Sequence, residues 1–175
     1  MRLRSIIGYG VLTLITVLYF LPKTNLYYKL EHELQPQGII IHNEHIDDKR
    51  LWLEILDAEL YIQKIESLYI HRSKIMLFGV YNKIDLEQIT LASTLGQFIP
   101  KEIQSAKLRH ALYDPLNVYA TVLGDFGKAE ISLNFYDRII TADIEASKLM
   151  KSNFSATLRN LTRDKKGGYH YEYRF

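Results

Sequence analysis

The sequence predicts a mainly β protein: a transmembrane helix near the start, then a curved antiparallel sheet forming a groove or open barrel, with one amphipathic helix late in the chain. Three observations predict it. Residues 5–21 are an uncharged apolar run, apolar residues recur with period two from Gly38 onward, and residues 148–161 return to helical spacing.

The 175 residues suffice for one domain of ordinary size plus an anchor. Net charge is +2, from 22 basic and 20 acidic residues spread along the chain. No basic stripe with interleaved aromatics appears, so the charge pattern argues against nucleic-acid binding. The absence of cysteine excludes disulfides, thiolate metal sites and cysteine catalysis.

The apolar run SIIGYGVLTLITVLYFL is bounded by Arg2 and Arg4 before it and by Pro22-Lys23 after it. As a helix it spans about 25 Å, near the lower limit for crossing a bilayer. Ile6, Ile7, Val11, Leu12, Leu14, Ile15, Val17, Leu18 and Leu21 supply the apolar anchor, and Tyr19 and Phe20 fall where an interfacial aromatic belt sits. A cleaved signal peptide is the rival reading, but Leu21-Pro22-Lys23-Thr24 offers no small-x-small cleavage site. Positive charge before the run exceeds that after it, where Glu31 and Glu33 offset Lys23 and Lys29. That bias orients the N-terminus to the cytoplasm. The expected organisation is a cytoplasmic tip (1–4), an inner-membrane anchor (5–21), a juxtamembrane helix and turn (22–37) and a periplasmic β-rich domain (38–175).

Thr24 or Asn25 is expected to cap a helix over residues 26–34, with Leu26, Leu30 and Leu34 as its stripe and Tyr27 and Tyr28 just outside the bilayer. Pro36-Gln37-Gly38 ends it. Residues 39–46 read as a strand and 47–50 as a charged turn. Residues 51–55 follow with Leu51, Leu53 and Ile55 on one face before parity shifts to Leu56, Ala58, Leu60 and Ile62, which predicts a bulge or bend. Leu68 with Ile70, Ile75 with Leu77, and Ile84 with Leu86 continue the alternation. Residues 103–112 fit either strand or helix. Leu116, Val118, Ala120 and Val122 form one arm of a hairpin turned by residues 124–128. Ala129, Ile131, Leu133 and Phe135 form the other, and Ile140, Ala142 and Ile144 follow. Ser147 is placed to cap helix 148–161, whose stripe is Met150, Phe154, Leu158 and Leu161. A basic turn over 163–168 precedes a last strand in which Tyr169, Tyr171, Tyr173 and Phe175 share a face.

No catalytic or metal-binding constellation emerges. His42, Glu44, His45, Asp47 and Asp48 are dense in potential ligands, but on a strand residues three apart face opposite sides. The D-F-G at 125–127 lacks the other kinase motifs and reads as hairpin chemistry. Acidic residues such as Glu54, Asp57, Asp85, Glu87, Asp143 and Glu145 suit a wet sheet face. Two Asn-x-Ser/Thr sequons, at 153–155 and 160–162, are short enough to arise by chance. The expectation is a protein that is not an enzyme and carries no cofactor. The candidate apolar groove or core is Leu60, Ile62, Leu116, Val118, Val122, Ile131, Leu133, Phe135, Ile140 and Ile144, and the candidate cover is Met150, Phe154, Leu158 and Leu161.

An anchor ending Phe20-Leu21-Pro22 leads through a short helix to Gly38-Ile39-Ile40-Ile41 and then to the strand pattern over 56–70. Pro115 precedes Val118, Gly124-Asp125-Phe126-Gly127 opens a new strand, and an aromatic strand comes last. This order resembles the bacterial type II secretion system protein N group and the wider AsmA-like envelope proteins. The resemblance implies a periplasmic sheet curled into a groove and anchored in the inner membrane. Longer relatives are linked to lipid transport or outer-membrane homeostasis. It carries over no catalytic residue, and a chain this short would form only a short groove.

Two functions are therefore expected. One is a structural part of an envelope assembly, such as a secretion or motility apparatus, docking other envelope proteins or itself. The other is a module that binds membrane lipid or another hydrophobic ligand on its apolar sheet face. An outer-membrane barrel is a third reading, because a last strand of alternating aromatics ending in Phe resembles a barrel assembly signal.

Overall fold

The computed structural model describes residues 3–164 and 167–175. Arg2 lies outside the described residues. Of Arg4 only the helical backbone is described, and of the expected basic turn residues 165 and 166 are not.

Helix α1 (Leu3–Phe20) ends one residue before the expected anchor does, and Leu21 lies in the two-residue corner that follows. Its side chains from Ser5 to Val17 are all exposed, so this stretch packs against nothing in the domain. No single described helix is long and apolar enough to cross a membrane. Helix α1 and helix α2 (Lys23–Leu34) reach that standard together, but the pair is bent by 59°.

Helix α2 starts at Lys23 rather than 26. Pro22 occupies its N-cap position and no side chain caps it, so neither Thr24 nor Asn25 has the expected role. Its inward face is also rotated. Lys23 and Tyr27 are buried, with Glu31 and Leu34 half-buried, while the expected stripe residues Leu26 and Leu30 are exposed. Tyr27 therefore sits in the protein core, and only Tyr28 is exposed. A short 3-10 turn (Gln35–Gln37) and Gly38, at φ 80, end the helical segment.

Eleven strands among the described residues form one antiparallel sheet. They are β1 (Ile39–His42), β2 (His45–Asp48), β3 (Leu53–Ile62), β4 (Ile65–Leu77), β5 (Tyr81–Leu91), β6 (Glu102–Ala111), β7 (Asp114–Gly124), β8 (Gly127–Asn134), β9 (Ile139–Ala146), β10 (Thr162–Arg163) and β11 (Tyr169–Arg174). The order is β1-β3-β4-β5-β6-β7-β8-β9-β11-β10, with β2 beside β1 on the same edge of β3. This is a meander of consecutive hairpins apart from the β11-β10 end. Its two edges do not pair, so the sheet is open and no barrel closes. The ambiguous stretch 103–112 is strand as far as Ala111, with Leu112 in the turn that follows. Asp47 and Asp48, expected in a turn, complete β2.

The predicted parity shift has a local cause. Asn43, Asp57 and Gln88 adopt left-handed backbone, with φ of 62, 56 and 52. Register aligns them in one line across β1/β2, β3 and β5. Below that line Leu53 and Ile55 face inward; above it Ala58 does. Left-handed residues re-aim the chain as a bulge does, and here they act on neighbouring strands together.

The central hairpin is tighter than expected. Gly124 and Gly127 pair with each other, leaving Asp125 and Phe126 as the loop. Gly127 has φ 118, and a Cβ there would lie 2.0 Å from the Glu145 carbonyl oxygen, so only glycine fits.

Ser147 caps as predicted, accepting from the Met150 amide at 3.0 Å. The helix it opens is two short ones, α3 (Lys148–Asn153) and α4 (Ser155–Arg159), broken at Phe154. Phe154 leaves helical geometry there, with φ -123 and ψ 30.

Candidate functional site

Sheet register sorts the side chains onto two faces. One row of paired positions runs Ile46, Ile55, Ser73, Leu86, Ala106, Val122, Ala129, Ile144 and Tyr169. The next runs Leu53, Ile75, Ile84, Leu108, Ala120, Ile131, Ala142 and Tyr171. A third includes Val118, Leu133, Ile140 and Tyr173, interrupted by Asn82 and His110. At about 4.8 Å per strand, the first row is about 38 Å across.

The opposite face is charged. Glu54, Lys74, Asp85 and Lys107 stand side by side on β3 to β6 with alternating sign. Arg72 reaches Glu54 at 3.3 Å and Glu87 at 3.7 Å, and Lys83 pairs with Asp85 and Lys128 with Glu130, each at 2.6 Å. Such pairs on a wet face contribute little stability, but they fix which face meets water.

Two covers sit on the apolar face, one at each end. Near β1 to β4, Tyr27 of α2 packs with Leu53, Ile55 and Ala58. Burial above all, then the Glu44 and Glu31 carboxylates, hold the Tyr27 hydroxyl protonated well above the ordinary phenol value of 10.0. Near β8, β9 and β11, Met150 and Leu158 pack with Phe126, Ala129 and Tyr169, and Phe154 and Leu161 lie against the same cluster. All four expected covering residues are therefore in place. Thr157 ties α4 to the β5–β6 loop by donating to the Phe98 carbonyl at 2.6 Å.

Between these clusters Ile84, Leu86, Ala106, Val118 and Ala120 are half-buried, and Leu108 is 38% exposed. They belong to neither cluster. The result is an apolar surface open in its middle and closed at both ends.

No protein family, curated protein or solved structure matches this chain. The site is therefore read from its own residues.

Of the ten groove candidates, Val118, Val122, Ile131, Leu133, Ile140 and Ile144 share the apolar face, and Leu60 lies on it above the left-handed line. Three candidates do not belong. Ile62 is exposed beside the Gln63-Lys64 turn, and Leu116 and Phe135 are exposed at the open end of the β7–β8 hairpin, beyond the last strand pair that could bury them. Sequence reasoning left Leu53, Leu86, Ala106 and Leu108 off the candidate surface. Their alternation was visible, but which neighbours they align with is a register property.

Polar clusters form around Asp57 and around Asp114, which accepts from the Asn117 amide at 2.6 Å and the Tyr119 hydroxyl at 2.8 Å. The Asp57 carboxylate accepts from the Tyr69 hydroxyl at 2.5 Å and contacts His71 Nδ1 at 2.9 Å. These two hydrogen bonds, Tyr69 first, hold its carboxyl below the ordinary value. Among the described residues no group of three or more His, Asp or Glu could hold a metal ion.

Proposed function

We propose that this chain is a single-pass, membrane-anchored envelope protein whose sheet holds a hydrophobic ligand, most simply a lipid acyl chain, on its open apolar face. The observation that carries the reading is the uncovered middle of that face, between the Tyr27 and Met150 covers. On three adjacent strands its apolar side chains are half-buried with no helix over them, a surface that a hydrophobic ligand would complete. Helix α1, apolar and exposed from Ser5 to Val17, supplies the anchor, with the N-terminus cytoplasmic and the sheet periplasmic on the inner membrane.

The decisive experiment is native mass spectrometry of the full-length protein extracted from membranes in mild detergent. Wild-type protein is expected to carry lipid adducts. Leu108→Glu, which places a carboxylate in the open middle, is expected to lose them while keeping the sheet's circular dichroism. A wild-type chain free of lipid overturns the proposal.

A second reading, a structural part of an envelope assembly, is favoured by one observation. Strand β10 pairs only with Tyr169 and His170, leaving the outer edge of β11 from Tyr171 to Arg174 without a partner strand among the described residues. An open edge of this kind accepts a strand from another envelope protein or a second copy. Stoichiometric cross-linking through positions 171–174 in intact cells would support it, and recovery only as a free monomer would exclude it.

A further inference from the structure

We infer that the sheet stands upright on the bilayer, with the hairpin tips at one end dipping into the membrane interface. The meander brings alternate turns to the same end of the sheet: β2–β3, β4–β5, β6–β7 and β8–β9. Each of those turns carries exposed apolar side chains. They are Leu51, then Val80, then Leu112 with Tyr113, then Phe135 with Tyr136, and the two tyrosines are 85% and 80% exposed. Successive tips are about 10 Å apart, two strand spacings. Exposed apolar residues also occur at the opposite end, at Ile62 and Ile65 and at Phe98, but only this rim combines two almost fully exposed tyrosines with the end of α1.

Helix α1 meets the domain at this same rim. The Lys23 ammonium donates to the Leu18 carbonyl at 2.9 Å and the Leu21 carbonyl at 3.3 Å, and also to the Arg50 carbonyl in the β2–β3 turn. The Arg50 guanidinium lies 5.6 Å from the Tyr19 ring centroid. The end of α1 is thus fixed beside the first tip, and the row of tips continues away from it. Tyrosine and phenylalanine suit a bilayer interface, where an apolar ring meets a wet headgroup layer. A rim seated there would bring the lower end of the open apolar face directly against lipid.

This inference rests on the reading of α1 as a membrane anchor, and the test separates the two. The chain has one tryptophan, Trp52, so a W52F background leaves a single indole wherever one is introduced. Full-length W52F/Y136W, W52F/Y113W and W52F/F98W are reconstituted into phosphatidylethanolamine–phosphatidylglycerol vesicles whose acyl chains are brominated. Phe98 lies on the β5–β6 loop at the opposite end of the sheet, about 30 Å away. The Y136W and Y113W indoles are expected to blue-shift and lose emission to bromine, and the F98W indole to do neither. Flotation with vesicles but no quenching at either tip overturns the inference and leaves the anchor standing. Equal quenching at all three positions, meaning a sheet lying flat, also overturns it. So does a blue shift that follows protein density rather than bromine, because a second copy then covers the rim. Failure to float overturns the anchor and the inference together.

Discussion

The Lys23 ammonium, 2% exposed, is held by three carbonyls from two separated parts of the chain. Leu18 belongs to the end of α1, where unpaired carbonyls accumulate and a cation is favoured, and Leu21 to the corner just after it. The third belongs to the β2–β3 turn, so one side chain joins helix to sheet. Lys23→Met keeps most of the volume but leaves those carbonyls without their donor, at a cost of about 1–3 kcal/mol. Hydrogen exchange is expected to quicken at residues 23–27 and to stay unchanged in β8. Asp57 makes a pH-dependent contribution. Its carboxyl is lowered in the folded protein from the ordinary 3.8, by the Tyr69 and then the His71 hydrogen bond. A lowered carboxyl stabilises the fold fully above its unfolded value, and that contribution is lost as pH falls through the folded one. Tyr69→Phe is therefore expected to bring the Asp57 titration back toward 3.8, read by NMR of the side-chain carboxyl, and to flatten the acid limb of the urea-unfolding profile.

At the scale of elements, helices and sheet meet through few, large side chains. Helix α2 docks with Tyr27 rather than its leucines: the ring packs on Leu53, Ile55 and Ala58, while Leu26 and Leu30 stay exposed. Helices α3 and α4 are too short to be stable alone and hold their places through Met150 and Leu158. Truncating a well-buried side chain costs about 2–5 kcal/mol. Met150→Ala is expected to release α3 and α4, and to raise hydrogen exchange in β9 and β11 while β3 and β4 stay protected. Leu53→Ala, at a site 1% exposed, is expected to do the converse. If both variants loosen the whole sheet equally, the two ends are not separate cooperative units.

The whole molecule is an open sheet with a charged face, an apolar face, two terminal covers and an apolar rim beside α1. Nothing buried is shared between the two clusters; Ile70, Ile89 and Leu91 are buried on β4 and β5 outside both, and from Ile84 to Ala120 the middle of the apolar face is only half-covered. Ligand on that face would add burial where the sheet has least of its own. Bound lipid is thus expected to stabilise the middle strands most, which the lipid-free Leu108→Glu chain would reveal as faster exchange in β5 to β7.

Much of this was legible in the sequence because it depends on near neighbours. Period two along Val118, Ala120 and Val122 dictates a strand with one apolar face, and Ser147 followed by Met150 dictates a cap. The parity shift near Leu56 announced a break in the strand, realised at Asp57. Other features required the tertiary structure. Whether Tyr27 or Leu26 faces inward depends on the shape of the sheet beneath them, and whether Phe135 is core or rim depends on where its hairpin ends. That Leu51, Val80, Tyr113 and Tyr136 line one edge depends on strand order and register, which join residues far apart in the chain. The sequence by itself determined an apolar first helix and a sheet with one greasy side; only the fold decided how much of that side is covered and which rim stands beside the helix.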